Sequence, residues 1–265
     1  MSPTEAGSDQ PEAEKPPAER PVALVTGGAG GLGDAITRAL AAKGFRVAVG
    51  YHRSGETASQ LAAALPGEGH FSLAAPVTDS GALQRMASAL EARCGRCDVL
   101  VHSAGTTRFV PHADLEGLDD ALFDSIFAVN VRGAFAASRA LRPLLERSSL
   151  PGGGVIVHIS SIAAVIAMGS NVAYCASKAA VDNMTKSLAR ALAPKIRVLS
   201  VSPGLVDTEF VKSLDTKWRD EQAERTPLKR LAMPEEIGAA VVAAVTQLTF
   251  STGAIIAVDG GRPLS

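Results

Sequence analysis

The chain has 265 residues, a formal net charge of −1 and 46% hydrophobic residues, enough for one large α/β domain with a well-covered sheet and too little for a comparable second one. The near-zero charge, without a concentrated Lys/Arg stripe, excludes a nucleic-acid surface, and no apolar stretch is long enough to span a bilayer. Three cysteines, Cys94, Cys97 and Cys175, are too few and too clustered for a disulfide framework and point to a reducing cytoplasm.

In chain order, the stretch from Met1 to Arg20 is rich in Pro, Glu, Ala and Ser and has no apolar core. It reads as a disordered tail, neither a secretory signal nor a packed element, ahead of a single domain over residues 21–265. Val22 to Thr26 reads as a short buried strand that runs into Gly27-Gly28-Ala29-Gly30-Gly31-Leu32-Gly33 and then into an apolar-periodic helix. Such a unit binds phosphate. Gly27 takes the tight turn, Gly31 lets the backbone approach a pyrophosphate, and Gly33 lets the helix pack closely on the sheet. The helix N-terminus adds free N–H groups and partial positive charge. The bland alternative is a glycine-rich turn with no ligand.

Apolar runs recur at Arg46 to Tyr51, His70 to Ala75, Asp98 to Ser103, Val155 to Ser160, Ile196 to Ser202 and Ala254 to Val258, separated by helical-period segments. This alternation predicts a doubly wound parallel sheet of Rossmann type with helices on both faces, and ligands at the carboxyl ends of its strands. The glycine loop, Ser103 to Gly105, Ser161 and Pro203 all follow strands, so the fold gathers them along one edge.

The end of the second strand selects the dinucleotide, because a carboxylate there accepts from the ribose hydroxyls and repels a 2′-phosphate. The chain has no carboxylate between Asp34 and Glu56 and carries Tyr51-His52-Arg53-Ser54 instead, a guanidinium and a hydroxyl suited to a phosphate dianion. This favours NADP(H), with NAD(H) the alternative; the competing reading of Arg53 is a solvated loop arginine. The CGRC at Cys94 to Cys97 lies where a helix ends at Gly95 and a strand begins, which is wrong for a redox or zinc motif. His52, His70, His102, His112 and His158 are scattered singly, without metal-ligand spacing, so no metal site is expected.

Tyr174 and Lys178 are the most informative pair. At i, i+4 on a helix, the phenol and the ammonium share a face. A free tyrosine with a pKa of about 10 is a poor acid or base at neutral pH, and an adjacent cation lowers it. Alone, YxxxK also fits a half-exposed helical face; Ser161 thirteen residues upstream and Asn130 before it turn the reading toward a proton-transfer site for carbonyls. Ser160 competes with Ser161 for the serine role, and Asn130 also reads as a helix-interior amide bonded to backbone.

On TGGAGGLG at Thr26 to Gly33, VNVRG around Asn130, HISS ending at Ser161, YCASK from Tyr174, SPGLVDT from Ser202 to Thr208 and AVDGG from Ala257 to Gly261, the chain resembles the short-chain dehydrogenase/reductase family over nearly its whole length. Members similar to 3-oxoacyl-[acyl-carrier-protein] reductase come nearest. The resemblance implies a catalytic set of Asn130, Ser161, Tyr174 and Lys178, with Tyr174 donating the proton and Ser161 bonding the carbonyl oxygen. Lys178 would hold the cofactor ribose and depress the Tyr174 pKa, and Asn130 would keep a water chain nearby. It implies cofactor contacts from Gly27, Gly31, Leu32, Gly33, His52, Arg53, Ser54, Val77, Ser103, Ala104, Gly105, Tyr174, Lys178, Pro203, Gly204, Val206 and Thr208. The HRS segment is similar to one in NADPH-using pteridine reductases. Two departures stand out. The family's Asp-Val after the third strand reads Pro76-Val77, with no side-chain acceptor for adenine, and its NNAG reads His102-Ser103-Ala104-Gly105, where Ser103 can still bond locally.

Residues 207–233 interrupt the alternation and carry Phe210, Val211, Leu214 and Trp218 on a short amphipathic helix, a candidate substrate lid or subunit contact. Family members form tetramers through helices that fall here near Leu122 to Arg147 and Asn171 to Ala193, so a homotetramer is implied. The leading function is NADP(H)-dependent interconversion of a carbonyl and a secondary alcohol, on a small molecule or a carrier-bound 3-oxoacyl group. Dehydrogenation of a sugar, a steroid or another alcohol, and pteridine reduction, are the enzymatic alternatives; a dinucleotide sensor or scaffold is the non-enzymatic one.

Overall fold

The computed structural model of the chain describes residues 20–213 and 215–264. The tail assigned to 1–20 lies outside the described residues except for Arg20, which is buried, so the packed chain begins one residue earlier than the sequence suggests. Seven strands, β1 Val22–Thr26, β2 Arg46–Tyr51, β3 Phe71–Ala74, β4 Val99–His102, β5 Gly154–Ile159, β6 Ile196–Pro203 and β7 Ile255–Val258, form one parallel sheet in the order β3-β2-β1-β4-β5-β6-β7. The order reverses between β1 and β4, which pair from Ala23 with Val99 to Thr26 with His102. In an open α/β sheet that reversal opens a crevice at the carboxyl edge.

The helices are α1 Leu32–Ala42, α2 Gly55–Ala64, α3 Ser80–Cys94, α4 Asp120–Phe127, α5 Gly133–Leu145, α6 Ala163–Ile166, α7 Val172–Leu192, α8 Glu209–Lys212, α9 Thr216–Glu224 and α10 Pro234–Thr246. Successive strand residues face opposite sides, so each strand feeds two cores. Val25, Val101 and Val157 pack with Ile36, Leu40, Ile237 and Val241 of α1 and α10. Leu24, Leu100, Ile156 and Val198 pack with Leu83, Leu90, Ala137, Leu141 and Ala189 of α3, α5 and α7. Burial on both faces is why the strands read as continuous apolar runs.

Local chemistry sets the helix ends. Asp79 accepts from the Ala82 N–H at 3.0 Å to open α3, and Gly95 closes it in the left-handed region at φ 69. Between α4 and α5, residues Ala128–Arg132 form a π-helical turn. The segment 207–233 departs from the expected single amphipathic helix. Thr208 caps α8 and Asp215 caps α9, accepting from Val211 and Trp218 N–H groups. Two caps seven residues apart start two short helices; Val211 is buried, α9 buries no residue, and Leu214 lies outside the described residues. Among the described residues no helix is long and apolar enough to cross a membrane.

Candidate active site

The glycine loop is built by close contacts on one side and openness on the other. Gly27 sits at φ 64, and a Cβ there would meet the Ala104 Cα at 2.9 Å; a Cβ on Gly33 would overlap the Gly27 carbonyl oxygen. Gly28 is equally confined, its Cβ position lying 2.8 Å from the Val25 carbonyl. Gly30 and Gly31, by contrast, have nothing within 4 Å of a Cβ, and Gly31, at φ 46, is the residue before α1, whose first turn no side chain caps. The three confined glycines hold the turn against the β4 loop, and the two open ones leave a cradle of backbone at a helix N-terminus, the chemistry that receives a pyrophosphate. Leu32 is half-buried against the α1 and α10 core.

At the end of β2, His52, Arg53 and Ser54 are all exposed, and among the described residues the Arg53 guanidinium has no hydrogen-bond or ion-pair partner. It is an exposed cation at the carboxyl end of β2. Val77 is buried against Gly133, whose Cβ position lies 2.9 Å from a Val77 methyl, so its side chain packs the start of α5. The Ala104 N–H donates to Thr26 Oγ1 at 3.3 Å, while Ser103, expected to bond locally, has no side-chain hydrogen bond among the described residues.

The residues expected to move the proton come from three elements. Asn171, at the N-cap of α7, accepts from the Tyr174 N–H at 2.7 Å and donates to the Arg108 carbonyl at 2.7 Å, fixing the first turn of α7 to the loop after β4. Tyr174 is half-buried on that turn, and Lys178, one turn on, is buried with Nζ 5.6 Å from the centre of the phenol ring. Ser161, just past β5, hydrogen-bonds the Tyr174 hydroxyl and accepts from the Ala163 N–H at 3.2 Å. Ser160 turns the other way, its hydroxyl donating to the Lys178 carbonyl at 3.4 Å with the Asp182 carboxyl beside it. Of the two serines, Ser161 is the one beside the Tyr174 hydroxyl. Asn130 lies in the π turn, accepts from the Thr106 N–H at 2.8 Å and donates to the Thr106 carbonyl and Ser177 Oγ. Its amide is spent on those partners. Gly105 lies close to both: its Cβ position is 3.5 Å from Asn130 Oδ1 and 4.0 Å from Lys178 Nζ.

The electrostatics depart from the expectation in one respect. Burial pushes the Tyr174 phenol above its ordinary pKa despite the Ser161 hydrogen bond, and the lysine does not reverse this. The same burial lowers Lys178 from 10.5 to about 8, although Asp182 opposes it, and its ammonium donates to the Ile159 carbonyl at 2.8 Å. Lys178 therefore stays largely charged at neutral pH, yet desolvation dominates the Tyr174 shift.

Beyond the lysine, Pro203 ends β6 with its carbonyl accepting from the Ile162 N–H, and the Gly204 N–H donates to the Val258 carbonyl at 2.9 Å. A Cβ on Gly204 would meet the Asp259 Cα at 2.9 Å. Val206 is buried and bridges to Ala232. Thr208 spends its hydroxyl on the α8 cap, and next to it Asp207 pairs with Arg219 of α9 at 2.6 Å.

A family model described as Enoyl-(Acyl carrier protein) reductase matches residues 27–262. The D-threitol dehydrogenase of Mycolicibacterium smegmatis is 40% identical over 91% of this chain and 92% of its own. The chain is a short-chain dehydrogenase/reductase. The 3-oxoacyl-[acyl-carrier-protein] reductase FabG of Thermotoga maritima is 34% identical over 92% of this chain and 98% of its own. The structure of a gluconate 5-dehydrogenase from Burkholderia cenocepacia, in complex with NADP and tartrate, superposes with a TM-score of 0.84 at 27% identity, covering 92% of this chain and 96% of that one. This short-chain dehydrogenase/reductase is therefore an oxidoreductase of a family that uses nicotinamide dinucleotides on small molecules. Two site features escaped the sequence reading. Asn171 carries the N-cap signal of an amide three residues before the helix contact it makes. Gly30 is as open as Gly31, which no pattern of glycines distinguishes.

Proposed function

We propose that this enzyme reduces a carbonyl to a secondary alcohol at the expense of NADPH, with a 3-oxoacyl thioester as the leading substrate class. The observation that carries the reading is the convergence of Ser161, Tyr174 and Lys178 beside an open glycine cradle. The residues present fit the dinucleotide: Gly30, Gly31 and the first turn of α1 would take the pyrophosphate, Arg53 the 2′-phosphate, and Lys178 the ribose. When bound, the reduced dinucleotide supplies a hydride.

The chain's own residues would manage the charge that this creates. Tyr174 keeps its proton in the resting site because burial disfavours the phenolate, which suits an acid waiting for a carbonyl oxygen to turn basic. Ser161, hydrogen-bonded to the same hydroxyl, would donate to that oxygen as negative charge develops. Lys178, at about 8, would pass a proton back to Tyr174 at neutral pH, with Asn130 holding the loop over it. Asp207 and Arg219 would tie the segment 207–233 beside the site as a substrate lid. The exposed Phe123 and Phe135 on α4 and α5, and Val172 on α7, favour assembly through those helices into a homotetramer.

A second reading, oxidation of a sugar or other secondary alcohol, draws on the named threitol and gluconate dehydrogenases among its relatives. The test is loss of reduced-nicotinamide absorbance with NADPH and NADH across 3-oxoacyl thioesters, ketosugars, ketosteroids, quinones and pterins, with the alcohols run in reverse. NADPH consumption with thioesters supports the proposal. Activity confined to sugar alcohols with NAD replaces it with the second reading.

A further inference from the structure

We propose that His102 and His158 hold one buried water between their Nε2 atoms, closing a hydrogen-bonded row that runs from the glycine-loop strand to helix α7 and positions Lys178. The role for Lys178 rests on the function proposed above; the water site does not.

The row follows from register. Thr26 pairs with His102, His102 with His158, and His158 with Ser200 across β1, β4, β5 and β6. All four lie two residues beyond Leu24, Leu100, Ile156 and Val198, on the face packed by α3, α5 and α7. Four polar side chains therefore cross the core at one level, beneath the lysine. His102 is 3% exposed and His158 0%. A buried imidazole needs both nitrogens satisfied.

Each Nδ1 has a partner whose own bonds fix the tautomer. Thr185 Oγ1 donates its proton to the Val181 carbonyl at 2.9 Å, so it must accept from His158 Nδ1–H at 2.8 Å. His158 Nε2 is then a bare acceptor. Thr26 Oγ1 accepts from the Ala104 N–H, and its own proton, fully buried, goes to His102 Nδ1 at 3.0 Å. His102 is then protonated at Nε2, a donor. Neither Nε2 has a hydrogen-bond partner among the described residues. The two histidines offer one donor and one acceptor on neighbouring strands.

The rings are too far apart to satisfy each other. Their centroids lie 6.4 Å apart, edge to face. A ring nitrogen is about 1.2 Å from its centroid, so a direct bond of about 3 Å would need centroids at roughly 5.4 Å or less. A water with two bonds of about 2.8 Å spans roughly 4.6 Å between nitrogens, which the observed separation accommodates. It would accept from His102 and donate to His158.

The completed row ties three parts of the site. Thr26 and Ala104 are the contact between the glycine-loop strand and the β4 loop, and Thr185 lies on α7 seven residues from Lys178. Directly after His158, the Ile159 carbonyl accepts from Lys178 Nζ. Ser200, next in the row, bonds Asp182 one turn from Lys178 at 3.3 Å. Helix α7 is thus pinned one and two turns beyond the lysine, while the lysine itself bonds the strand beside His158, and His102 and His158 act as positioning residues.

A high-resolution crystal structure of the full chain, with ¹⁵N-histidine NMR in solution, tests the site without reference to activity. The expected result is one water bonded to both Nε2 atoms, with His102 protonated at Nε2 and His158 at Nδ1. Dry packing of the two ring edges, or matching tautomers, overturns it. The positioning role is read from His102→Leu, His158→Leu and the double variant. Either substitution releases the water, so each single variant lowers kcat about tenfold while KM for NADPH stays within about twofold, and the double falls no more than about twofold further. His158→Gln, whose amide keeps a donor and an acceptor, recovers most of the loss. Independent losses that multiply to about a hundredfold in the double variant overturn the shared row.

Discussion

Replacing Lys178 with Met should make the protein more stable while removing its activity. Burial holds the ammonium at about 8 against an ordinary 10.5, so below pH 8 the folded state carries about 3 kcal/mol of penalty for the charge. Methionine fills similar volume without the charge. The opposing loss is the bond from Nζ to the Ile159 carbonyl, worth about 1–2 kcal/mol. The difference leaves the variant more stable by about 1–2 kcal/mol near pH 7. Its pH dependence follows from the direction of the shift. The folded lysine loses its proton at about 8 and the unfolded one near 10.5, so between these values the unfolded chain binds more protons and wild-type stability rises with pH. The advantage of Lys178→Met therefore shrinks from pH 8 upward. Urea unfolding of both proteins, followed by circular dichroism at one protomer concentration and at pH 6.5, 8 and 9.5, reads this as a converging pair of curves. A variant less stable than wild type at pH 6.5, or a gap that does not change with pH, would refute the assignment of a costly buried ammonium.

Other consequences are equally direct. Arg53→Ala should raise KM for NADPH by about 10- to 100-fold through loss of a charge-assisted contact and leave KM for NADH unchanged; an unaltered preference ratio would return Arg53 to the solvent. Gly30→Ala, where the Cβ enters open space, should leave unfolding stability within about 0.5 kcal/mol but weaken dinucleotide binding measured by fluorescence. Gly33→Ala, whose Cβ would strike the Gly27 carbonyl oxygen, should yield little soluble protein; a well-folded Gly33→Ala enzyme would contradict the loop geometry. Arg219→Gln, which breaks the ion pair with Asp207, should raise substrate KM more than it lowers kcat, whereas unchanged kinetics would remove the segment 207–233 from the role of lid.

The fold was legible because each strand is a continuous apolar run bounded by turn residues. The expected strand ends differ from the observed ones by at most one residue, as with His70 to Ala75 against Phe71–Ala74. The π turn at Ala128–Arg132 was hidden because the apolar pattern of one long helix passes through it. Ser161 could be preferred over Ser160 from spacing, but only the exit of β5 shows that one faces Tyr174 and the other Asp182. The direction of the Tyr174 shift was misjudged for a related reason. An i, i+4 lysine is visible in the chain, whereas the desolvation that weakens its charge is a property of the packed site. His102 and His158, scattered singly in the sequence, become neighbours through strand register, and burial holds both below the ordinary imidazole range, His158 at about 4.

The proposed function stands or falls on whether Tyr174 transfers the proton to a carbonyl reduced at this site. It is tested most directly by single-turnover NADPH oxidation in Tyr174→Phe with the best substrate of the panel, alongside NADPH binding by fluorescence. The expected rate is lower by about 10²- to 10⁴-fold, with cofactor affinity within about twofold of wild type. A rate comparable to wild type would contradict it.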